Sequence, residues 1–143
     1  MSRQLALGGQ PVLVARWAEA LAVAEAQPHL NRLLLVDAAL EEPLLPPLVR
    51  AAAARGCALV VCLGPGADAV HRLVDRACQA DGHGVAISWH DPSTDSEAAL
   101  DAFSLFTSWV GGTPGLPLLV TEEEGLDSIL DAARTLHGRP TPP

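Results

Sequence analysis

Residues 58–78 read ALVVCLGPGADAVHRLVDRAC, and this stretch decides the fold. Its first six residues, Ala58–Leu63, form a short unbroken apolar run, the pattern of a strand covered on both faces. Gly64-Pro65-Gly66 breaks the run, and Val70, Leu73, Val74, Ala77 and Cys78 then recur at helical spacing. A buried strand, a tight turn and an amphipathic helix in that order make up the leading half of a βαβ unit.

The same alternation continues in both directions. Gln10–Ala15, Arg32–Ala38, Gly84–Trp89 and Leu116–Thr121 are further apolar runs of strand length. Between and after them lie the stripes Trp17, Ala20, Leu21, Ala24; Leu44, Leu45, Leu48, Val49, Ala52; Ala99, Ala102, Phe103, Phe106, Val110; and Leu126, Ile129, Leu130, Ala133. The pattern predicts one three-layer α/β domain over residues 1–138: a mostly parallel five-stranded sheet with helices on both faces, in the manner of flavodoxin-like and Rossmann-like architectures. Residues 139–143 (RPTPP) are expected to form a disordered tail. Leu5-Ala6-Leu7 leaves an alternative open, an extra antiparallel strand turning through Gly8-Gly9 into the first parallel one.

The punctuation fits. Pro46-Pro47 suit the first turn of the second helix, and Gly56 stands where a left-handed C-cap is wanted. Thr94-Asp95-Ser96-Glu97 reads as a capping box for the fourth helix, and Asp68 as an N-cap for the third.

Composition narrows the function classes. A chain of 143 residues that is 49% apolar has core enough without disulfides or metal. Its three cysteines, Cys57, Cys62 and Cys78, make no C-x-x-C pair and are expected to be buried free thiols, with no metal site implied. No apolar run approaches the roughly 18 residues that cross a bilayer, and Met1-Ser2-Arg3-Gln4 lacks a signal-peptide layout, so no membrane contact and a cytoplasmic location are expected. All nine basic residues are arginines, and the absence of lysine and tyrosine removes Schiff-base, P-loop and tyrosine-acid chemistry. A net charge of −8 speaks against nucleic acid and suits a basic protein partner, while self-association into a homo-oligomer is left open.

In parallel sheets, ligands bind beyond the carboxyl ends of the strands. Those ends offer Arg16, Asp37, Gly64 to Gly66, His90 with Asp91, and Glu122. His90, Asp91, Asp37 and Glu122 are candidate acid–base or cation-binding groups if they converge. Gly64 and Gly66, with Arg16, are candidate anion-binding positions, since Gly64-Pro65-Gly66-Ala67-Asp68-Ala69 nearly matches half of a nucleotide fingerprint. Against these stand caps and turns. Asp91, Ser93 and Thr94 precede a helix, Asp68 would repel a phosphate, and Ser88 is not in a G-x-S-x-G elbow.

The alternation resembles flavodoxin-like and response-regulator receiver domains in architecture only. Arg16-Trp17 stand where a receiver has paired acids, lysine is absent, and Arg16-Trp17-Ala18-Glu19 occupy the place of the Ser/Thr-rich flavodoxin phosphate loop. Two functions follow as expectations. One is a non-catalytic acidic protein-interaction module, such as a bacterial immunity or accessory protein, with Trp17, Trp89 or Trp109 as anchors. The alternative is a small metal- or nucleotide-dependent enzyme or ligand-binding domain built on the acidic strand ends.

Overall fold

The computed structural model describes residues 3–7, 10–80, 82, 84–94, 96–108 and 115–137. In chain order its elements are β1 (Arg3–Leu7), β2 (Gln10–Ala15), α1 (Trp17–Glu25), β3 (Leu30–Val36), α2 (Leu45–Ala54), β4 (Leu59–Leu63), α3 (Ala67–Ala80), β5 (Ala86–His90), α4 (Ala98–Ser108), β6 (Leu116–Val120) and α5 (Glu123–His137). Every residue of β3 and β4 is buried, which the apolar run of β4 and of Leu33 to Val36 in β3 explains, while Asn31 and Arg32 of β3 are buried polar groups.

The sheet runs in the order β1-β2-β6-β3-β4-β5. All neighbours are parallel except β1, which pairs antiparallel with β2 from Arg3 opposite Val14 to Leu7 opposite Gln10. The five expected strands are the parallel set, and β1 makes the sheet six-stranded. Its alternation explains why: Gln4 is exposed while Leu7 is buried and Leu5 packs on the core beside it. The turn residues Gly8 and Gly9 lie outside the described residues, as does the expected tail at 139–143.

Layering follows from strand order. The chain steps from β2 through β3 and β4 to β5 in one direction, and α1, α2 and α3 bury Ala20, Leu48 and Val74 in one core. The connection from β5 to β6 runs back past β4 and β3, and α4 and α5 bury Phe103, Phe106 and Ile129 in a second core on the opposite face. Crossovers of a single hand must change face when they change direction.

Some boundaries differ from those the sequence suggests. β3 starts earlier, at Leu30, and stops at Val36 because Asp37 takes a left-handed φ of 55°. α4 starts at Ala98 and not at the capping box, because Asp91 draws Ser93 and Thr94 into a separate turn; Asp95 and Val110 lie outside the described residues. Asp68 sits inside the first turn of α3 and does not precede it. Pro46 and Pro47 do fall in the first turn of α2, and Gly56 closes that helix at φ 90° with its amide on Ala53 O.

Candidate functional site

Strand order sets the spacing of the carboxyl-end residues. From one side to the other they are Arg16 after β2, Thr121 and Glu122 after β6, Asp37 after β3, Gly64 after β4, and His90 with Asp91 at β5. At about 4.8 Å per strand, Glu122 and Asp91 stand roughly 14 Å apart along the sheet. The four proposed acid–base groups are therefore not brought together. Among the described residues no group of three His, Cys, Asp or Glu side chains is placed to hold a metal ion.

Each candidate is instead engaged locally. Glu122 Oε2 accepts the Trp17 amide at 3.0 Å, and its Oε1 lies 4.0 Å from Arg16 Nε. Arg16 is the N-cap of α1 and offers that helix no side-chain cap, so the carboxylate after β6 supplies one. The first helix amides, where a bound anion would sit, thus face a carboxylate of the chain itself. Trp17 is pinned further by its indole, which donates to Val36 O at 3.1 Å.

Asp37 closes β3 with its amide on Leu63 O at 2.7 Å, and its carboxylate lies against Gly64, where an added Cβ would come within 2.6 Å of Oδ1. Burial, and after it the charge of Glu124, push this carboxyl above its ordinary range. His90 Nε2 lies 2.7 Å from Ser88 Oγ on the same face of β5. Asp91 Oδ1 accepts from the Ser93 hydroxyl at 2.5 Å and the Ser93 amide at 2.8 Å. These hydrogen bonds from Ser93 hold Asp91 below the usual carboxylate range.

Two clefts open at this end. One of about 340 Å³ lies between the ends of β2 and β6, lined by Arg16, Glu19, Thr121, Glu122 and Glu123. A shallower groove of about 520 Å³ lies between the loop from Asp37 to Glu41 and the start of α3 at Pro65 to Val70. Both are rimmed by carboxylates. Glu19, Asp37, Glu41, Glu42, Asp68, Asp91, Glu97 and Glu122 to Glu124 all lie at this end, against Arg16 and an Arg72 that pairs with Asp68 at 3.5 Å. Five helix N-termini at about +0.5 each supply roughly +2.5, so the carboxylates at this end outnumber the positive charge of these dipoles, Arg16 and Arg72 together.

A charged group the sequence reading passed over lies at the opposite end. Arg32, in β3, is buried at 3% exposure. Its guanidinium donates to Phe106 O at the end of α4, to Gln10 Oε1 at 2.7 Å and to Asn31 Oδ1 at 3.4 Å, and it stands 5.8 Å from the Phe106 ring centroid. No carboxylate is among these partners; carbonyls at a helix C-terminus take that role. Burial lowers its pKa from the usual arginine value.

Of the tryptophans, Trp17 is half-buried, Trp109 lies outside the described residues, and Trp89 is 48% exposed and stacked on His71 at 3.8 Å between ring centroids. Leu100 is half-buried against the second core. Cys57, Cys62 and Cys78 are free and buried, and burial raises the Cys57 and Cys62 thiols to about 12. No helix among the described residues is long and apolar enough to cross a membrane.

No protein-family model matches the chain, and no curated protein matches it. Among solved structures, shikimate dehydrogenase of Mycobacterium tuberculosis aligns at 20% identity and a TM-score of 0.43, over 86% of this chain and 48% of that one. The chain spans about half the length of that enzyme, and a likeness this distant says nothing of activity.

Proposed function

We propose that this chain is a non-catalytic module that binds a basic protein through the acidic carboxyl end of its sheet. The observation that carries this reading is the excess of acidic groups there: carboxylates from the leading loops or first turns of all five helices, more than the helix dipoles offset. Concentrated charge of one sign steers a partner of the opposite sign and suppresses the wrong ones. Such a module fits a bacterial immunity or accessory factor, and its free thiols fit a reducing cytoplasm. The enzyme alternative needs converging groups, and Glu122, Asp37 and the adjacent pair His90 and Asp91 stand at the ends of three different strands.

Affinity purification of the chain from its own cells, beside a variant carrying Glu41→Gln, Glu123→Gln and Glu124→Gln, tests the proposal. A stoichiometric partner of high pI should be retained by the wild type, released by salt and lost by the variant. Thermal denaturation with Mg²⁺, Mn²⁺ or ATP supplies the opposing arm. Stabilisation of about 2.7 kcal/mol at a hundredfold excess over Kd, with no basic partner found, would overturn the proposal in favour of the ligand-dependent alternative.

A further inference from the structure

Among the described residues the last strand of the sheet on the α3 side is β5, which pairs with β4 alone. Within β5, the Ala86 amide donates to Ala58 O and His90 O accepts from the Gly64 amide, so residues 86, 88 and 90 turn their backbone groups toward β4. By the alternation of a strand, Ile87 and Trp89 turn theirs to the open edge. Natural edge strands are usually guarded by charge, proline or a bulge. β5, with the sequence AISWH, holds no carboxylate, guanidinium or proline, and its register with β4 is unbroken.

From this edge we infer that the chain forms a two-fold symmetric dimer in which β5 pairs antiparallel with β5 of a second copy, extending the sheet across both. The register is set by the strand itself. With Ser88 facing the copy's Ser88, Ile87 stands opposite the copy's Trp89, so every outward amide and carbonyl of these two residues finds a partner. On the α3 face this makes an aliphatic–aromatic cross-strand pair twice over, the kind that stabilises sheets. On the α4 face it sets the small Ala86 against the copy's bulkier His90. A register centred on Ile87 or on Trp89 would pair that residue with itself and leave the other facing a turn. The match is isologous, as closed dimers require.

The exposed Trp89, braced on one side by His71, then becomes interface. Two five-residue strands cover less than the roughly 1,200 Å² of a stable specific interface, so the outer side of α3 has to be covered too and the dimer depends on concentration. Each copy carries −8, so repulsion opposes association at low ionic strength and salt strengthens it. That sign is opposite to the one expected for a basic partner, which separates failure of this inference from failure of the proposed function.

Sedimentation velocity of the full chain from sub-micromolar to millimolar concentration, at low and high salt, is the first measurement. The mass should move from 14.9 kDa toward twice that value, at lower concentration when salt is high. Hydrogen exchange on the unmodified protein is the second: the Ile87 and Trp89 amides should slow as concentration rises. Trp89→Lys, which sets a charge on the edge, should remain a monomer with an unchanged far-ultraviolet spectrum. A monomer at every concentration and salt overturns the inference. So does a dimer whose Ile87 and Trp89 amides exchange as fast as in dilute solution, or one that Trp89→Lys leaves intact.

Discussion

Replacing Phe103 or Phe106 by alanine should remove a large part of what holds this domain together. Both rings are buried on the α4 side, at 0% and 1% exposure, and they are the only phenylalanines in a core otherwise built from aliphatic side chains. Truncating a buried phenylalanine costs about 3–5 kcal/mol, partly as lost transfer and partly as the cavity left behind, against a total of roughly 5–15 kcal/mol for a domain. Phe106 should cost more than Phe103. Its ring lies 5.8 Å from the Arg32 guanidinium, and a desolvated cation–π contact adds about 0.5–2 kcal/mol. Leucine at each site keeps most of the volume, so the difference between Phe106→Leu and Phe103→Leu reports that contact, and a double-mutant cycle of Phe106→Leu with Arg32→Met isolates it. Asp101→Ala, exposed in the first turn of α4, serves as control and should lose no more than about 1 kcal/mol. The assay is urea denaturation followed by far-ultraviolet circular dichroism, with the slope unchanged between variants. If both alanine variants lose less than about 1 kcal/mol, α4 does not dock through this face and the second core is wrongly drawn.

Asp37→Asn should stabilise the protein at neutral pH, since a carboxyl raised by burial and Glu124 binds its proton more tightly in the folded state, so that stability falls as pH rises through its titration. The gain should fade when both proteins are melted at a pH low enough to protonate Asp37; a gain that does not depend on pH would refute the assignment. For Asp91 the sign is reversed: its contribution is present above the ordinary aspartate range and declines as acid protonates it, so Asp91→Asn should narrow the difference between melting temperatures at neutral and acid pH. Cys57 and Cys62, raised to about 12, should resist an aromatic disulfide reagent at neutral pH until denaturant is added, and rapid labelling of either in the native state would show that it is exposed. Gly64→Ala should lose about 1–3 kcal/mol, because the position has φ 141° and the new Cβ would meet Asp37 Oδ1 at 2.6 Å; a neutral melt would mean the loop shifts freely.

What could be read from the chain before its structure was the part written in neighbouring residues. The unbroken apolar run of β4, the stripe on α3, the prolines opening α2 and Gly56 closing it are all local signals. Asp91 as a turn cap is local too, since its partner Ser93 is two residues away. Glu122 capping α1 joins residues 105 apart, and Arg32 reaching Phe106 joins residues 74 apart. Neither has a local signature. Arg32 heads an apolar run, where an arginine ordinarily marks the boundary with solvent, and nothing near it says that the end of α4 arrives to accept its protons. Strand order was illegible for a related reason: alternating βαβ units predict parallel neighbours but not which neighbours, so the distance separating Glu122 from His90 and Asp91 had to come from the fold.

The position of β6 between β2 and β3 has a consequence for how the chain reaches this state. β2 leaves a ribosome long before its parallel neighbour, which follows only when Leu118 to Val120 emerge. Until then β1 and β2 form an isolated hairpin of marginal stability, while β3, β4 and β5 can associate through their short crossovers. The nascent domain is thus two fragments with a slot between them, each presenting an unsatisfied apolar strand. Closing the slot joins both halves in one late step with high loop-closure entropy, and such long-range pairing is slow. Refolding should therefore be limited by insertion of β6. Chains that stop short of it should accumulate as a partly ordered, aggregation-prone species, which chaperones would be expected to hold.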